Sequence, residues 1–496
     1  MSLNTVDYRI LILAIVVLFP FRIFSQSISV NWDKTLLINK TTPTLQIVEN
    51  PKIRPSSPIY NKVFQALENL EADYVRYVPW FPYPKLAVAE LEPPTPENTS
   101  WNFKYLDSSI TEFMNRTKGH PVVMNISTTP AWMWEGKRVN YPDDPYQVYW
   151  SYNQGEKLRD TTLNEISNYY ERVFKWYTQG GFTDENGRYH KSGYYYEFDF
   201  WEVLNEPDLE HKISPQLYCK IYDAIVLKLQ KISPRTKFVG ISTAHISNPD
   251  YFEYFLNPVN HKEGVPLDAI SYHHYSIPSY LNQDLKDFQY TAFEKAESFL
   301  NQVNYIENIR KRLAPSTISM LNEIGIILRA PGEKGPIPNE YWNLAASVYA
   351  HMFIELSRKE IEVVGQSQLV GYPGQFPDVS MLDWKNGNPN SRYWVLKLLI
   401  NNFRPGDKLV KTDFKGRIFI GNHPDINAQG FDTKNGKKIL FVNKRNKIIE
   451  VKLSEEVNNA KLWSIDTEFP EYPKHPQIIN GNKLSLKPFA VAVLDL

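Results

Sequence analysis

The run Phe198-Asp-Phe-Trp-Glu-Val-Leu204 leads directly into Asn205-Glu206-Pro207. A short stretch rich in aromatic and β-branched residues that ends on polar groups and a proline reads as a buried strand delivering its last side chains to a rim. Seven further runs have this texture, at 44–48, 74–80, 121–127, 237–242, 269–275, 318–321 and 362–369. Segments with helical spacing lie between them, at 59–71, 161–176, 215–231, 286–313 and 341–359. Strands alternating with helices imply parallel pairing with crossover helices, which a doubly wound sheet would also satisfy. Eight units favour closure, so the expected fold class is α/β, a (β/α)8 TIM barrel over residues 43–404.

Beyond Arg404-Pro-Gly-Asp407 the texture changes to short β-rich runs at 418–421, 438–442, 448–453, 460–465 and 490–494, without helical spacing. This predicts a smaller C-terminal antiparallel β-sandwich domain over 405–496, joined by a strand segment in 26–42. Arg9, the apolar run 10–21 and Ser25 have the layout of a secretory signal peptide covering 1–25, with a retained anchor as the alternative. A run of that length is short of the roughly 20 apolar residues needed to cross a bilayer. The expectation is therefore a secreted or periplasmic protein with no stable membrane insertion after cleavage. Asn39, Asn98, Asn115 and Asn125 begin glycosylation sequons, relevant only in a host that uses them.

The 496 residues carry 55 Lys+Arg against 55 Asp+Glu, a balance that argues against a nucleic-acid partner bound by bulk charge. A hydrophobic content of 42% excludes global disorder. One cysteine, Cys219, excludes an intrachain disulfide and a multi-cysteine zinc site, and no metal or other cofactor is expected.

In such barrels the chemistry lies at the carboxyl ends of the strands. The fourth run places Asn205 and Glu206 there, and the seventh, Met320-Leu-Asn-Glu-Ile-Gly325, places Glu323 there. Two carboxyl groups facing each other across a barrel mouth suit glycosidic cleavage: one protonates the leaving oxygen while the other attacks the anomeric carbon. On the sixth run, period two puts His273 and Tyr275 on one face, where a phenol can hold the attacking carboxylate; His274 faces the other way, toward helix packing. Arg76, in an otherwise apolar second run, needs a buried partner, and Glu323 is the natural one. Trp80, Trp132, Trp134 and Trp384 are candidates for stacking against sugar rings, although such a residue taken alone is more often core than ligand surface.

These residues carry a resemblance. Asn205-Glu206-Pro207, Glu323, Arg76 and His273-x-Tyr275 look like the retaining clan-A glycoside hydrolases. The turn Ser127-Thr-Thr-Pro-Ala-Trp132, the stretch Met381-Leu-Asp-Trp384 and Asn390-Ser-Arg-Tyr-Trp394 are similar to family 39. The resemblance implies Glu206 as acid/base, Glu323 as nucleophile and Asn205 as a ligand of the sugar 2-hydroxyl. It also implies exo-acting hydrolysis of xylosides, iduronides or related glycosides. The alternatives are a glucuronidase-like or glucosylceramidase-like member of the clan and a non-catalytic carbohydrate-binding barrel.

Overall fold

The computed structural model describes residues 26–136, 139–152, 154–277, 285–327, 337–371, 374–415 and 424–496. The segment 1–25, with the proposed signal peptide, and the run 418–421 lie outside the described residues. In chain order the strands begin with β1 (Gln26–Ile38), β2 (Thr42–Val48), β3 (Val75–Val78), β4 (Val122–Met124), β5 (Gly181–Thr183), β6 (Tyr189–Lys191) and β7 (Phe200–Glu202). They continue with β8 (Lys237–Thr243), β9 (Ala269–Ser276), β10 (Ile318–Ile326) and β11 (Val363–Gln366). Strands β2, β3, β4, β7, β8, β9, β10 and β11 pair in that cyclic order, all parallel, and close a barrel. Each of these strands falls within or overlaps one of the eight runs read from the sequence. The hairpin of β5 and β6 is a separate two-stranded insertion.

The helices follow from apolar spacing and from their caps. Pro215–Ile232 starts where the Ser214 hydroxyl accepts the Leu217 N–H and Pro215 occupies the first turn. It buries Tyr218, Ile221, Tyr222, Ile225, Val226 and Leu229, the one-sided set that an amphipathic helix places against a barrel. Helices Tyr60–Leu70, Asn164–Thr178, Leu285–Leu313 and Asn339–Arg358 match the spacing read from the sequence to within a few residues. Lys104–Arg116 and Ser391–Asn402 were not anticipated. The former is mostly polar and buries a thin stripe, Leu106, Ser109, Ile110 and Phe113. No helix among the described residues is long and apolar enough to cross a membrane.

The second domain adds β12 (Lys408–Lys415), β13 (Ile426–Thr433), β14 (Gly436–Asn443), β15 (Ile449–Ile465), β16 (Gln477–Leu486) and β17 (Val491–Asp495). They form one sheet in the order β1-β12-β13-β14-β17-β15-β16, and β1 also touches β15, so the sheet rolls back on itself. The enclosed core includes Ile28, Ile426, Phe441, Val451, Leu462 and Leu494. Strand β1 runs antiparallel to β12, from Ser27 opposite Lys415 to Ile38 opposite Lys408. The runs 448–453 and 460–465, read as two strands, are the ends of the single strand β15. Its polar middle is irregular, with register shifts against β16 and Asn459 at φ 57°.

Of the sequon asparagines, Asn39 and Asn125 are buried, with their side-chain amides hydrogen-bonded inside the protein. Only Asn98 and Asn115 are exposed.

Candidate active site

Every barrel strand or the residue just beyond it contributes a polar group to one layer at the carboxyl end. The centre is Arg76 on β3, fully buried. Its five N–H groups meet five acceptors. Nε donates to Glu202 Oε2 (2.5 Å), and Nη1 donates to Gln46 Oε1 (2.8 Å) and Glu323 Oε1 (2.5 Å). Nη2 donates to Asn205 Oδ1 (2.7 Å) and Ser242 Oγ (3.2 Å). Register explains the convergence, because Gln46 pairs opposite Arg76 and His273 opposite Glu323. A planar fork with five fixed donors fits this layer, whereas a lysine would leave acceptors unmet.

Glu202, on β7, was missed from sequence although it stands in an apolar strand just as Arg76 does. It is fully buried and also accepts from Asn125 Nδ2 (2.5 Å), Ser271 Oγ and Asn322 Nδ2 (2.8 Å). A shift in register on β10 between Leu321 and Glu323 lets two consecutive side chains enter the barrel end, Asn322 toward Glu202 and Glu323 toward Arg76.

The two glutamates singled out from sequence meet here with His273 between them. The nearest oxygens of Glu206 and Glu323 and a ring nitrogen of His273 all lie within 4.8 Å of one another. His273 Nδ1 is 2.8 Å from Glu206 Oε1, and Nε2 is 3.6 Å from Glu323 Oε1. Tyr275 Oη donates to Glu323 Oε2 (2.6 Å) and lies 2.7 Å from Ser367 Oγ. Glu206 itself sits at φ 42°, a left-handed backbone that a non-glycine residue rarely adopts, anchored by its N–H to the Ser242 carbonyl (2.9 Å).

The surroundings set the two carboxyl groups apart. Burial pushes Glu206 above the ordinary carboxyl range, and the contact with His273 only partly opposes it. Burial also acts to raise Glu323, but the charges of His273 and Arg76 and the Tyr275 hydroxyl outweigh it and hold the group below that range. For His273, burial acts downward and the two glutamates win, so its pKa is raised.

The pair opens into a cavity of about 1080 Å³ whose lining includes Glu206, Glu323, Asn205, His273, Tyr275, Trp80 and Trp150. Arg76 lies beneath this floor. Three of the four predicted sugar-stacking tryptophans do not line the cavity. Trp132 donates its N–H to the Glu90 carbonyl (2.9 Å), and the Arg159 guanidinium covers its ring at 4.6 Å. Trp384 lies half-buried against the barrel core. Trp134 is likewise buried, with its N–H on Thr129 Oγ1 (2.8 Å). Trp80 does face the cavity, edge-on to Trp150 at 5.3 Å. His274 stacks on Phe299 of helix Leu285–Leu313 at 4.2 Å, in keeping with helix packing. Asn205 has both ends of its amide engaged, since Nδ2 donates to Glu210 Oε1 (2.7 Å). Glu210 was not anticipated, because nothing in its spacing marks it.

Two clusters among the described residues have donor sets that could hold a cation, Glu206/His273/Glu323 and Cys219/Asp223/His261. In the second, His261 Nδ1 is 2.6 Å from Asp223 Oδ1 and Nε2 is 2.5 Å from the Phe255 carbonyl, so protein groups already engage both ring nitrogens.

No protein-family profile matches the chain, and no curated protein matches it in sequence. Solved structures do match in fold. A family GH51 arabinofuranosidase from Xanthomonas axonopodis pv. citri is 12% identical, with a TM-score of 0.65 over 95% of this chain and 100% of that one. An α-L-arabinofuranosidase from Thermotoga maritima is 14% identical, with a TM-score of 0.61 over 95% and 100%. A GH30 endoxylanase from Clostridium papyrosolvens C71 is 12% identical, with a TM-score of 0.58 over 94% and 99%. At such identities the likeness carries the architecture, a closed parallel barrel with an appended antiparallel β-domain.

Proposed function

We propose that this protein is a retaining glycoside hydrolase that cleaves O-glycosidic bonds by double displacement. The observation that carries the reading is the approach of the Glu206 and Glu323 oxygens to within 4.8 Å. Retaining enzymes hold their two carboxyl groups about 5–5.5 Å apart, whereas inverting enzymes leave about 6.5–9.5 Å for a water. Glu323, kept ionised by His273, Arg76 and Tyr275, attacks the anomeric carbon. Glu206, whose pKa burial raises, gives its proton to the departing glycosidic oxygen. The resulting glycosyl ester on Glu323 is cleaved by a water whose proton returns to Glu206.

The neighbours of known activity, arabinofuranosidases and an endoxylanase, support a carbohydrate substrate. Assignment to family 39 rests on the sequence motifs, and exo-acting cleavage of xylosides, iduronides or related glycosides is what that resemblance implies; the Xanthomonas and Clostridium neighbours are of families 51 and 30. Export by a cleaved signal peptide rests on the run 10–21 and is tested by sequencing the mature amino terminus.

Azide separates the two glutamate roles. Glu206→Ala should still react with activated aryl glycosides, accumulate the glycosyl intermediate, and give with azide a glycosyl azide of retained configuration. Glu323→Ala should lose nearly all activity and regain it with azide only as the inverted product. The opposite pattern would exchange the roles, and wild-type rates in both variants would end the reading.

A further inference from the structure

Glu210 lies in the cavity wall four residues after Glu206, and three donors from three different loops converge on its carboxyl group. Oε1 accepts from Asn205 Nδ2 (2.7 Å) and Trp80 Nε1 (3.1 Å), and Oε2 accepts from Gln154 Nε2 (2.7 Å). None of these can be reversed. The guanidinium of Arg76 can only donate, so it fixes Asn205 with its oxygen inward and its NH2 toward Glu210. The Thr129 N–H does the same for Gln154, donating to its Oε1 at 2.9 Å. Trp80 has only a donor.

A carboxyl group offers about four hydrogen-bonding positions. Two on Oε1 and one on Oε2 are filled, and the remaining position on Oε2 has no partner among the described residues. Beside it, Trp80 is pinned by its N–H, which fixes an aromatic ring against a polar group. Such a corner matches the two faces of a sugar, C–H groups against the ring and a hydroxyl against the carboxyl.

We infer that Glu210 is a specificity-determining residue that takes one sugar hydroxyl at the free position on Oε2. The inference rests on the glycosidase reading above and narrows its substrate. Burial and the nearby Glu206 charge push the Glu210 carboxyl up to about 8, so it is a donor below that pH and an acceptor above it. A hydroxyl satisfies both forms.

The test compares kcat/KM of wild type and Glu210→Ala on the aryl glycoside that wild type cleaves best and on its monodeoxy analogues. Glu210→Ala should lose about 10- to 100-fold on the parent, the range of one hydrogen bond to an ionisable group. It should lose as much on every analogue except one. On that analogue wild type is already slowed by the same factor, and the substitution adds little. A uniform loss across all analogues would make Glu210 merely structural and overturn the inference, as would no loss at all. Glu210→Gln keeps the size and the acceptor facing Asn205 and Trp80 but turns an NH2 toward that of Gln154, so it is combined with Gln154→Glu, which restores an acceptor there; the pair should show the same single-position pattern with a smaller loss, and a uniform loss in it overturns the inference even if the alanine variant fails to fold.

If wild type cleaves no glycoside, the glycosidase reading falls separately. The same comparison is then made from dissociation constants of the free parent and monodeoxy sugars, read by tryptophan fluorescence. Single-position selectivity in binding would uphold the role of Glu210, and absence of binding to every sugar would overturn it too.

Discussion

Replacing Arg76 by methionine removes the buried cation that faces Glu323 while keeping an unbranched side chain of similar reach. With Nη1 2.5 Å from Oε1, the two charge centres are about 4 Å apart, where a unit pair at an effective dielectric of 20 is worth about 4 kcal/mol. Divided by 1.36 kcal/mol per pKa unit, this is an upper bound of about 3 units on the nucleophile. Glu323 now lies below the ordinary range because His273 and Arg76 together override burial. Without Arg76, burial regains ground and the pKa rises. The group must be ionised to attack, so the acidic limb of the kcat/KM profile, which reports the free enzyme, should move to higher pH by about 1–3 units. Glu202 also loses its cation, and breaking a buried pair costs about 3–5 kcal/mol, so the melting temperature should fall as well. Arg76→Lys keeps the charge without the five-point fork and should move the limb less. An acidic limb displaced by under half a unit in a folded Arg76→Met protein would refute the electrostatic role assigned to Arg76.

Tyr275→Phe removes the hydroxyl that donates to Glu323 at 2.6 Å. A hydrogen bond to a charged group is worth about 1.5–3 kcal/mol, so kcat/KM should fall about 10- to 100-fold with the fold intact, and a loss below twofold would separate Tyr275 from the nucleophile. Outside the cavity lining, Glu90 is 1% exposed, and neither of its carboxyl oxygens has a hydrogen-bond partner among the described residues. Burial first, then the Glu185 charge, raise its pKa to about 8. Its folded-state pKa exceeds the unfolded value, so between about pH 4.5 and 8 the unfolded chain holds fewer protons and stability falls as pH rises. Glu90→Gln should raise the melting temperature at pH 8 and leave it nearly unchanged at pH 4.5, and thermal melts at both pH values check the difference.

The barrel was legible because all eight of its strands are buried runs bounded by polar punctuation, and because parallel strands need long crossovers that spread those runs evenly. The β-domain was less so. Strand β12 reads Lys-Leu-Val-Lys-Thr-Asp-Phe-Lys, charged at four of its eight positions, and β15 hides its continuity behind the polar stretch 454–459. Within the site, Asn205, Glu206, His273, Tyr275 and Glu323 were visible because strand ends fix where a side chain points. Trp132 and Trp384 were misread because they sit in turns, where direction depends on backbone paths that no periodicity encodes. Glu202 is the instructive omission. The argument that drew attention to Arg76, a charge that an apolar strand cannot bury alone, applied equally to Glu202.

Taken together, Arg76 and Glu202 show why this barrel end is built from charges rather than from packed aliphatic groups. One guanidinium faces two carboxylates, and only Glu323 reaches the cavity. Glu202 is locked by Asn125, Ser271 and Asn322, all of which can donate, so it has no need to move. Glu323 is held on one oxygen by Arg76 and on the other by Tyr275, and both contacts favour its ionised form. In the proposed double displacement the carboxylate becomes an ester and gives up that charge, while Arg76 remains paired with Glu202. The cation therefore does not become an unpaired buried charge midway through the reaction, which would oppose formation of the intermediate by several kcal/mol. In that mechanism the second carboxylate makes the departure of the first one's charge tolerable, which gives the pair a catalytic use beyond stability.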